Sequence, residues 1–483
     1  MNIAIGTLAI GLGCSAALGS TTIDTMSDEQ LRNMVLDLKG EVDSLRAEQN
    51  TDWLTEQRAE QIRGLVADVL ADADTRSSFQ GSGTLAGYDK GFFIGSADGN
   101  WKLKVNYQLQ VRWAYNDAGN QPNAHGFEIR RNKLKFGGNI VDPSWGYKLS
   151  IVTDRQSVIG DNANVFIEDA FISKKMDNGW YLNIGQMKAP FLREELVSSS
   201  QQLAVDRSMV NNAFTWTYTQ GALLGWKNDT LKIEGMYNDG PNHLNQQASV
   251  ANGVQGLNAR VEMLLGGDSD WGMFKGFNAK NTNGKTGFML GAALGWFNGG
   301  LGQVQEYGNA NVAQSTAWTV DASVAGDGWT LFSYFAWSDG KDRYLQPQSA
   351  ANPNNRQKQK AWGWVVQGGY LIAEDVELFA RYSLGETKGS DALTGRNLDP
   401  GNKDNSALTL GMNWFINSNV KLTMDWGYAF NPVYNGNSNN GQTPYSPDYT
   451  SSGTGWRADA NNARGTQVED GQWLLRAQMQ LTF

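Results

Sequence analysis

The 483-residue chain has one cysteine, Cys14, and two histidines, His125 and His243. One thiol cannot frame a disulfide scaffold, and neither histidine has a His/Cys metal spacing around it. Neither stands at helical or strand spacing from a Ser and an Asp, so a local nucleophile–base–acid motif is excluded. Both fall in stretches expected to be loops. An enzymatic barrel would need residues assembled from distant segments. The chain also has little proline (10 residues), and after its first twenty residues it has no apolar run long enough for a membrane helix. A membrane-spanning form must therefore use strands. Positive charge is in deficit, with 40 Lys+Arg against 49 Asp+Glu, which argues against a nucleic-acid coat. The expectation is a non-enzyme with no cofactor, no metal and no nucleic-acid partner.

What the chain has is glycine (56 residues), aromatics and alternation. Residues 1–19 read as a signal peptide: Ile3 to Leu18 is apolar or small, and Ala17-Leu18-Gly19 is a small-x-small cleavage site, although no Lys or Arg precedes it. Removing it takes Cys14 away, which suits export to an oxidising compartment. Residues 20–75 are expected to form a helical coiled-coil stalk. Val35, Leu38, Val42 and Leu45 follow a heptad seam, Ile62, Leu65 and Val69 resume one after a phase shift near Trp53, and Ser27 with Gln30 makes a capping box. A flexible, partly helical spacer is the alternative. Residues 76–100 read as a linker followed by a hairpin.

From residue 101 to residue 483 the period is two. Trp101, Leu103, Val105, Tyr107, Leu109, Val111 and Trp113 share one face; Lys102, Lys104, Asn106, Gln108, Gln110 and Arg112 share the other. Residues 419–431 repeat the design, as does Gln472 to Phe483, where Leu474 alone breaks the alternation. About ten alternating residues is the length of a tilted strand crossing a bilayer, with terminal Trp and Tyr as interfacial girdles. Short turns at 141–144, 176–179, 227–230, 325–328, 373–375 and 417–419 carry Asn, Asp or Gly. They alternate with long polar stretches at 115–126, 155–163, 188–217, 239–253, 299–314, 339–359, 386–404 and 432–470. The connection 266–284 breaks this rule, being long where a short turn is due. The fold class expected is all-β: an antiparallel transmembrane β-barrel of about sixteen strands behind the coiled-coil segment. The long segment 188–217 would fold inward, and inward Gly291 and Gly295 mark close packing or strand curvature.

Several segments together resemble the phosphate-selective porin O and P family. They are Gly87-Tyr88-Asp89-Lys90-Gly91-Phe92-Phe93-Ile94, the paired arginines of Ile129-Arg130-Arg131-Asn132-Lys133-Leu134, and Glu168-Asp169-Ala170-Phe171. Gly185-Gln186-Met187-Lys188-Ala189-Pro190-Phe191, which is the most specific, and Glu194-Glu195-Leu196-Val197-Ser198-Ser199 follow, and Leu410-Gly411-Met412-Asn413-Trp414-Phe415 and Leu475-Arg476-Ala477-Gln478 complete the likeness. The resemblance implies a trimeric sixteen-stranded channel, often with a helical stalk, whose constriction combines paired Arg, an acid, serines and a lysine. Arg130, Arg131, Asp169, Ser199 and Ser200 fall where such residues would be. No lysine lies between Glu194 and Asp206, and around 254–265 only Arg260 appears where an arginine ladder would run. The channel carries over; the phosphate preference stays open.

Lys102, Lys104 and Arg112 on one strand, and Arg131, Lys133 and Lys135 on the next if a phase slip occurs near Arg130, would form a basic wall. Facing lipid would cost about 2–4 kcal/mol each at the midplane, so a lumen or rim position is expected. Lys188 leads into the long segment, whose Glu194, Glu195 and Asp206 supply the opposite sign. Two readings stand: a transverse field across a constriction, or charge pairs that brace the loop. The expected function is an outer-membrane diffusion channel for small hydrophilic solutes or anions, a homotrimer in outer-membrane lipid, with the stalk and the C-terminus in the periplasm. The alternative is an envelope anchor whose coiled coil contacts peptidoglycan.

Overall fold

The computed structural model describes residues 28–51, 83–119, 123–153, 165–241, 255–282, 284–298, 312–342, 358–388, 403–431, 455–456 and 471–483. The signal peptide, the second heptad seam, His243 and most of the long polar stretches lie outside them. One helix, α1 (Asp28–Thr51), lies within the expected stalk; its seam residues Val35, Leu38 and Val42 are exposed, so the described residues do not support the expected coiled coil. No described helix is long and apolar enough to cross a membrane.

The second unit, from Gly83 to Phe483, is built of strands. In order they are β1 (Thr84–Tyr88), β2 (Phe92–Ser96), β3 (Lys102–Asp117), β4 (Ala124–Ile140), β5 (Asp142–Thr153), β6 (Val165–Lys175) and β7 (Trp180–Lys188). After the inward segment come β8 (Tyr218–Lys227), β9 (Leu231–Asn238), β10 (Gln255–Leu265), β11 (Gly287–Asn298), β12 (Val312–Gly326) and β13 (Trp329–Asp342). The chain continues through β14 (Lys358–Ala373), β15 (Val376–Lys388), β16 (Lys403–Phe415), β17 (Val420–Ala429) and β18 (Trp473–Thr482). Each strand from β3 onward pairs antiparallel with the next. β18 returns to β3, with Trp473 opposite Asp117 and Thr482 opposite Gln108, so β3–β18 close a sixteen-stranded barrel.

The hairpin β1–β2 takes over where β18 stops: Phe92 to Gly95 pair with Val105 to Lys102 along the free lower edge of β3. Phe483 seals the junction. It exchanges backbone hydrogen bonds with Tyr107 at 2.9 and 3.2 Å, and its ring lies 5.4 Å from that of Phe92 and 5.6 Å from that of Tyr107. An unpaired edge is thus removed.

The alternation read from the sequence is the alternation of the wall. Leu475, Met479 and Leu481 face out, while Arg476, Gln478 and Gln480 face in and are buried. Leu474 faces in as well, and it packs with Trp456, Ala407 and Ala429 rather than against lipid. In β13, where aromatics occupy both faces, Phe332 and Tyr334 point inward into a buried cluster with loop residues Phe191, Leu192, Val210 and Phe214. The lumen is filled at this level, which is why apolar residues are tolerated on its face. Gly295 belongs to the same packing, since a Cβ there would meet the Trp216 ring at 2.8 Å; one at Gly291 would meet the Asp321 and Arg260 side chains of the neighbouring strands.

The short turns fall where expected, all at one end of the barrel. At the other end the strands run further than the polar stretches suggested. β3 continues to Asp117 and β4 begins at Ala124, so His125 is a strand residue stacked on Tyr115, not a loop residue. Period-two alternation is weak there because both faces meet water, and pairing alone carries the strand on.

Candidate functional site

Residues 189–217 leave the wall after β7 and cross the lumen. They contain two short helices, α2 (Arg193–Leu196) and α3 (Met209–Phe214), the latter capped by Ser208, whose Oγ accepts from Asn211 N–H at 3.0 Å. The segment is nearly dry: Phe191, Leu192, Glu194, Leu203, Val205, Asp206 and Ser208 are all buried. It is tied to the wall on many sides. Gln108 donates to Ser199 Oγ at 2.9 Å, Gln110 to Ser199 O at 3.2 Å, and Gln480 to Ser200 O at 3.1 Å. Asn413 donates to Leu203 O at 2.9 Å, Lys421 to Gln202 O at 3.1 Å, and Arg260 to Phe191 O at 2.9 Å.

The central feature is Asp206. Arg130 donates to it through Nε at 3.1 Å and Nη2 at 3.0 Å, Arg131 through Nη2 at 2.8 Å, and Arg112 through Nη1. Burial alone would raise the Asp206 carboxyl; the three guanidiniums, helped by Arg476, outweigh it and hold the group well below the usual carboxylate range. Two adjacent residues of a regular strand cannot both face the lumen. They do so here because of a β-bulge: Gln110 pairs with Arg131 and Val111 with Ile129, leaving Arg130 as the extra residue. This is the phase slip the sequence required, and it keeps Lys133 and Lys135 inward.

A second bulge lies two strands away. Ser150 pairs with Asp169 and Ile151 with Ile167, so Glu168 is the extra residue and both acids face in. Gln186 fills the gap, donating to the carbonyls of Ile167 at 2.5 Å and Glu168 at 3.0 Å. Glu168 takes Lys133 Nζ at 2.5 Å and the Tyr218 hydroxyl at 2.9 Å. Asp169 takes Ser150 Oγ at 2.9 Å and faces Lys148 at 3.0 Å.

Glu194 accepts from Ser208 N–H at 2.7 Å, Ser208 Oγ at 2.6 Å and Tyr334 Oη at 2.9 Å, with Arg381 at 3.6 Å. Glu195 pairs with Lys188 at 3.2 Å and Arg207 at 3.3 Å. Its burial is outweighed by Arg207 and Lys188, so its carboxyl too is lowered.

Of the residues singled out from the sequence, the structure gathers Arg112, Arg130, Arg131 and Asp206 in one cluster, and joins Lys133 (through Glu168), Lys188 and Glu195 in the neighbouring network. Ser199 is held by the β3 amides. Ser200 lies 3.0 Å from Ser198 Oγ, and Lys135 donates to Gln108 at 2.9 Å. Lys102 and Lys104 stand apart, at the short-turn rim beside the hairpin: Lys102 lies over the Phe93 ring at 4.6 Å and Lys104 is 3.9 Å from Asp89. Glu168, Arg207, Arg260, Asp321, Arg381, Asp425 and Arg476 were not singled out as site residues. Asp425 and Arg476 oppose each other across β17 and β18 and form a bidentate pair at 2.7 and 2.8 Å. Their places on the polar faces of two recognised strands were the signal that could have found them.

A sixteen-stranded barrel with an apolar outer band and an inward, charge-tied segment is the build of an outer-membrane channel. The sequence profile of the phosphate-selective porin O and P family matches residues 102–429, and the chain belongs to that family. Among solved structures, the fold is similar to OmpT of Vibrio cholerae (10% identity, TM-score 0.50, covering 80% of this chain and 98% of that one). It is likewise similar to the anion-selective porin from Comamonas acidovorans (12% identity, TM-score 0.50, 79% and 100% covered). No curated protein sequence matches the chain.

Proposed function

We propose that this outer-membrane channel passes small hydrophilic solutes and ions down their gradients, with weak anion preference and no tight phosphate site. The observation that supports this is Asp206. Three guanidiniums converge on one point, as they would around an oxyanion, but the protein's own carboxylate already occupies it. Conduction needs sites weak enough to release the ion, and a balanced cluster is weaker than a bare one. Both readings of the loop charges thus have a place. The pairs brace the segment, and the small surplus of cations on the β4–β5 wall biases the field.

The working form would be a homotrimer in outer-membrane lipid; Vibrio cholerae OmpT, a relative in fold, is known in a trimer form. The short-turn end, with both the hairpin and Phe483, would face the periplasm, as would α1. Its exposed Val35, Leu38 and Val42 suit self-association into a three-stranded stalk, within reach of peptidoglycan. The test is the reversal potential in a planar bilayer under a KCl gradient, followed by phosphate. Weak anion selectivity without phosphate block is expected. Strong anion selectivity with block at low phosphate would overturn the reading.

A further inference from the structure

The connection between β10 and β11 lies at the short-turn end, yet it does not turn back at once. Gly266 to Thr282 fold up into the lumen and meet the segment 189–217 coming from the other end. The Phe277 amide donates to Gln201 O at 3.0 Å, and Asn278 Nδ2 to Gln201 Oε1 at 3.1 Å. Arg193 of the upper segment donates to Phe274 O. The connection is also fixed to the wall: Thr330 Oγ1 donates to Phe277 O at 2.7 Å, and the Ala279 amide to Glu377 Oε1 at 2.7 Å. The Phe277 and Phe332 rings are 4.5 Å apart, while Met273 and Phe274 form a buried cluster with Leu264, Met289 and Ala325. Gly276 permits the contact, since a Cβ there would stand 2.9 Å from Gln201 Cβ.

The wetting of inward side chains then divides the lumen in two. On β10–β18 they are dry: the side chains of Arg260, Asp321, Asp425 and Arg476 are at most 1% exposed, and Ser323, Asn413 and Thr423 are buried. A recess of about 610 Å³ opens on that side, but its lining includes Ser200, Gln201, Asn278 and Lys280, the two inward segments themselves. On β4–β9 the wetting is mixed: Ser150, Thr219 and Asn238 are buried, but the side chains of Lys148, Lys232, Glu128 and Arg130 are 44%, 23%, 20% and 18% exposed.

We propose that the β10–β11 connection is a second constriction element, which with the segment 189–217 seals the half of the lumen bounded by β10–β18 and confines permeation to an off-axis slot against β4–β9. This rests on the channel reading and adds which wall the solute touches: Glu128, Arg130, Lys148 and Lys232 line the path, and the connection sets its width.

The test uses the full chain with Cys14→Ser, which then has no other cysteine. Single cysteines are placed at Lys148, Lys232, Ser323 and Thr423, and labelled with a small charged methanethiosulfonate. The expected result is fast labelling with a fall in current at 148 and 232, and slow labelling at 323 and 423. Equal rates at all four would overturn the proposal. Replacing residues 267–286 by Asn-Gly, a two-residue hairpin turn, is expected to raise single-channel conductance about two-fold, as cross-section is restored, and to make Ser323→Cys reactive. A folded, heat-modifiable deletion variant with unchanged conductance and an unreactive position 323 would equally overturn it. The labelling rates are read on folded protein without a voltage, so they separate failure of this path from failure of the channel reading, which would show as no current from the unmodified chain.

Discussion

Tyr334 donates its hydroxyl to Glu194 at 2.9 Å, and this bond joins the inward segment to β13, across the lumen from where that segment leaves β7. Both residues are buried, and Ser208 completes the carboxylate's shell. Tyr334→Phe removes one donor and leaves the others, so it should cost about 1–2 kcal/mol of segment docking. Glu194→Ala leaves Arg381, Tyr334 and Ser208 facing an empty site and should cost about 3–5 kcal/mol. The proteolysis rate of the 189–217 segment in the folded barrel measures both. Equal rates in Tyr334→Phe, Glu194→Ala and the parent would mean that this contact does not hold the segment.

Asp206→Asn should convert the braced cluster into an anion site. Arg112 keeps its position through Glu128 and Arg131 through Gln110, but the central charge is gone. Anion over cation permeability should rise several-fold, and phosphate, silent on the parent, should reduce the current. A reversal potential identical to the parent's would show that the cluster lies off the ion's path.

The pH dependence follows from the same group. Asp206 has a folded value depressed by its arginines, so its contribution is fully present above the unfolded value of about 4 and is lost only as pH falls through the depressed folded value. Glu195 is lowered in the same sense by Arg207 and Lys188. The part of conductance and selectivity that depends on these two carboxylates should therefore be flat from pH 7 to about 4 and change only below it. The Asp206→Asn variant should lack most of that acid transition. A transition centred above about pH 5 would contradict the pairing.

The wall was largely legible in the sequence because a strand between lipid and a filled lumen must alternate; β3 and β17 do so residue by residue, and β18 does so but for Leu474. The order of short and long connections, and the one long exception between β10 and β11, were legible for the same reason: turns have their own chemistry. The site was only half legible. Alternation tells which way Arg381, Arg260 or Asp425 points, but not that a loop many residues away will present Phe191 O, Asp206 O or Val205 N to them. It also misleads wherever a bulge shifts the phase. Glu168 beside an inward Asp169 reads as lipid-facing until the unpaired residue is seen.

That phase argument makes a prediction of its own. Because Arg130 is the extra residue of its bulge, deleting it leaves Arg131 opposite Gln110 and Ile129 opposite Val111, the pairing already present. The strand loses one guanidinium and its local kink, but no side chain changes face. Deleting Lys133, by contrast, shifts every later residue of β4 by one, turning Leu134 and Phe136 inward and Lys135 toward lipid, or else breaks the β3–β4 register. A lysine facing lipid near the midplane costs about 2–4 kcal/mol, and the apolar pair loses its own burial as well. Heat-modifiable mobility after refolding should show the Arg130 deletion folding as well as Arg130→Ala, and the Lys133 deletion giving little folded barrel. Equal yields from the two deletions would mean that the bulge does not set the phase of this strand.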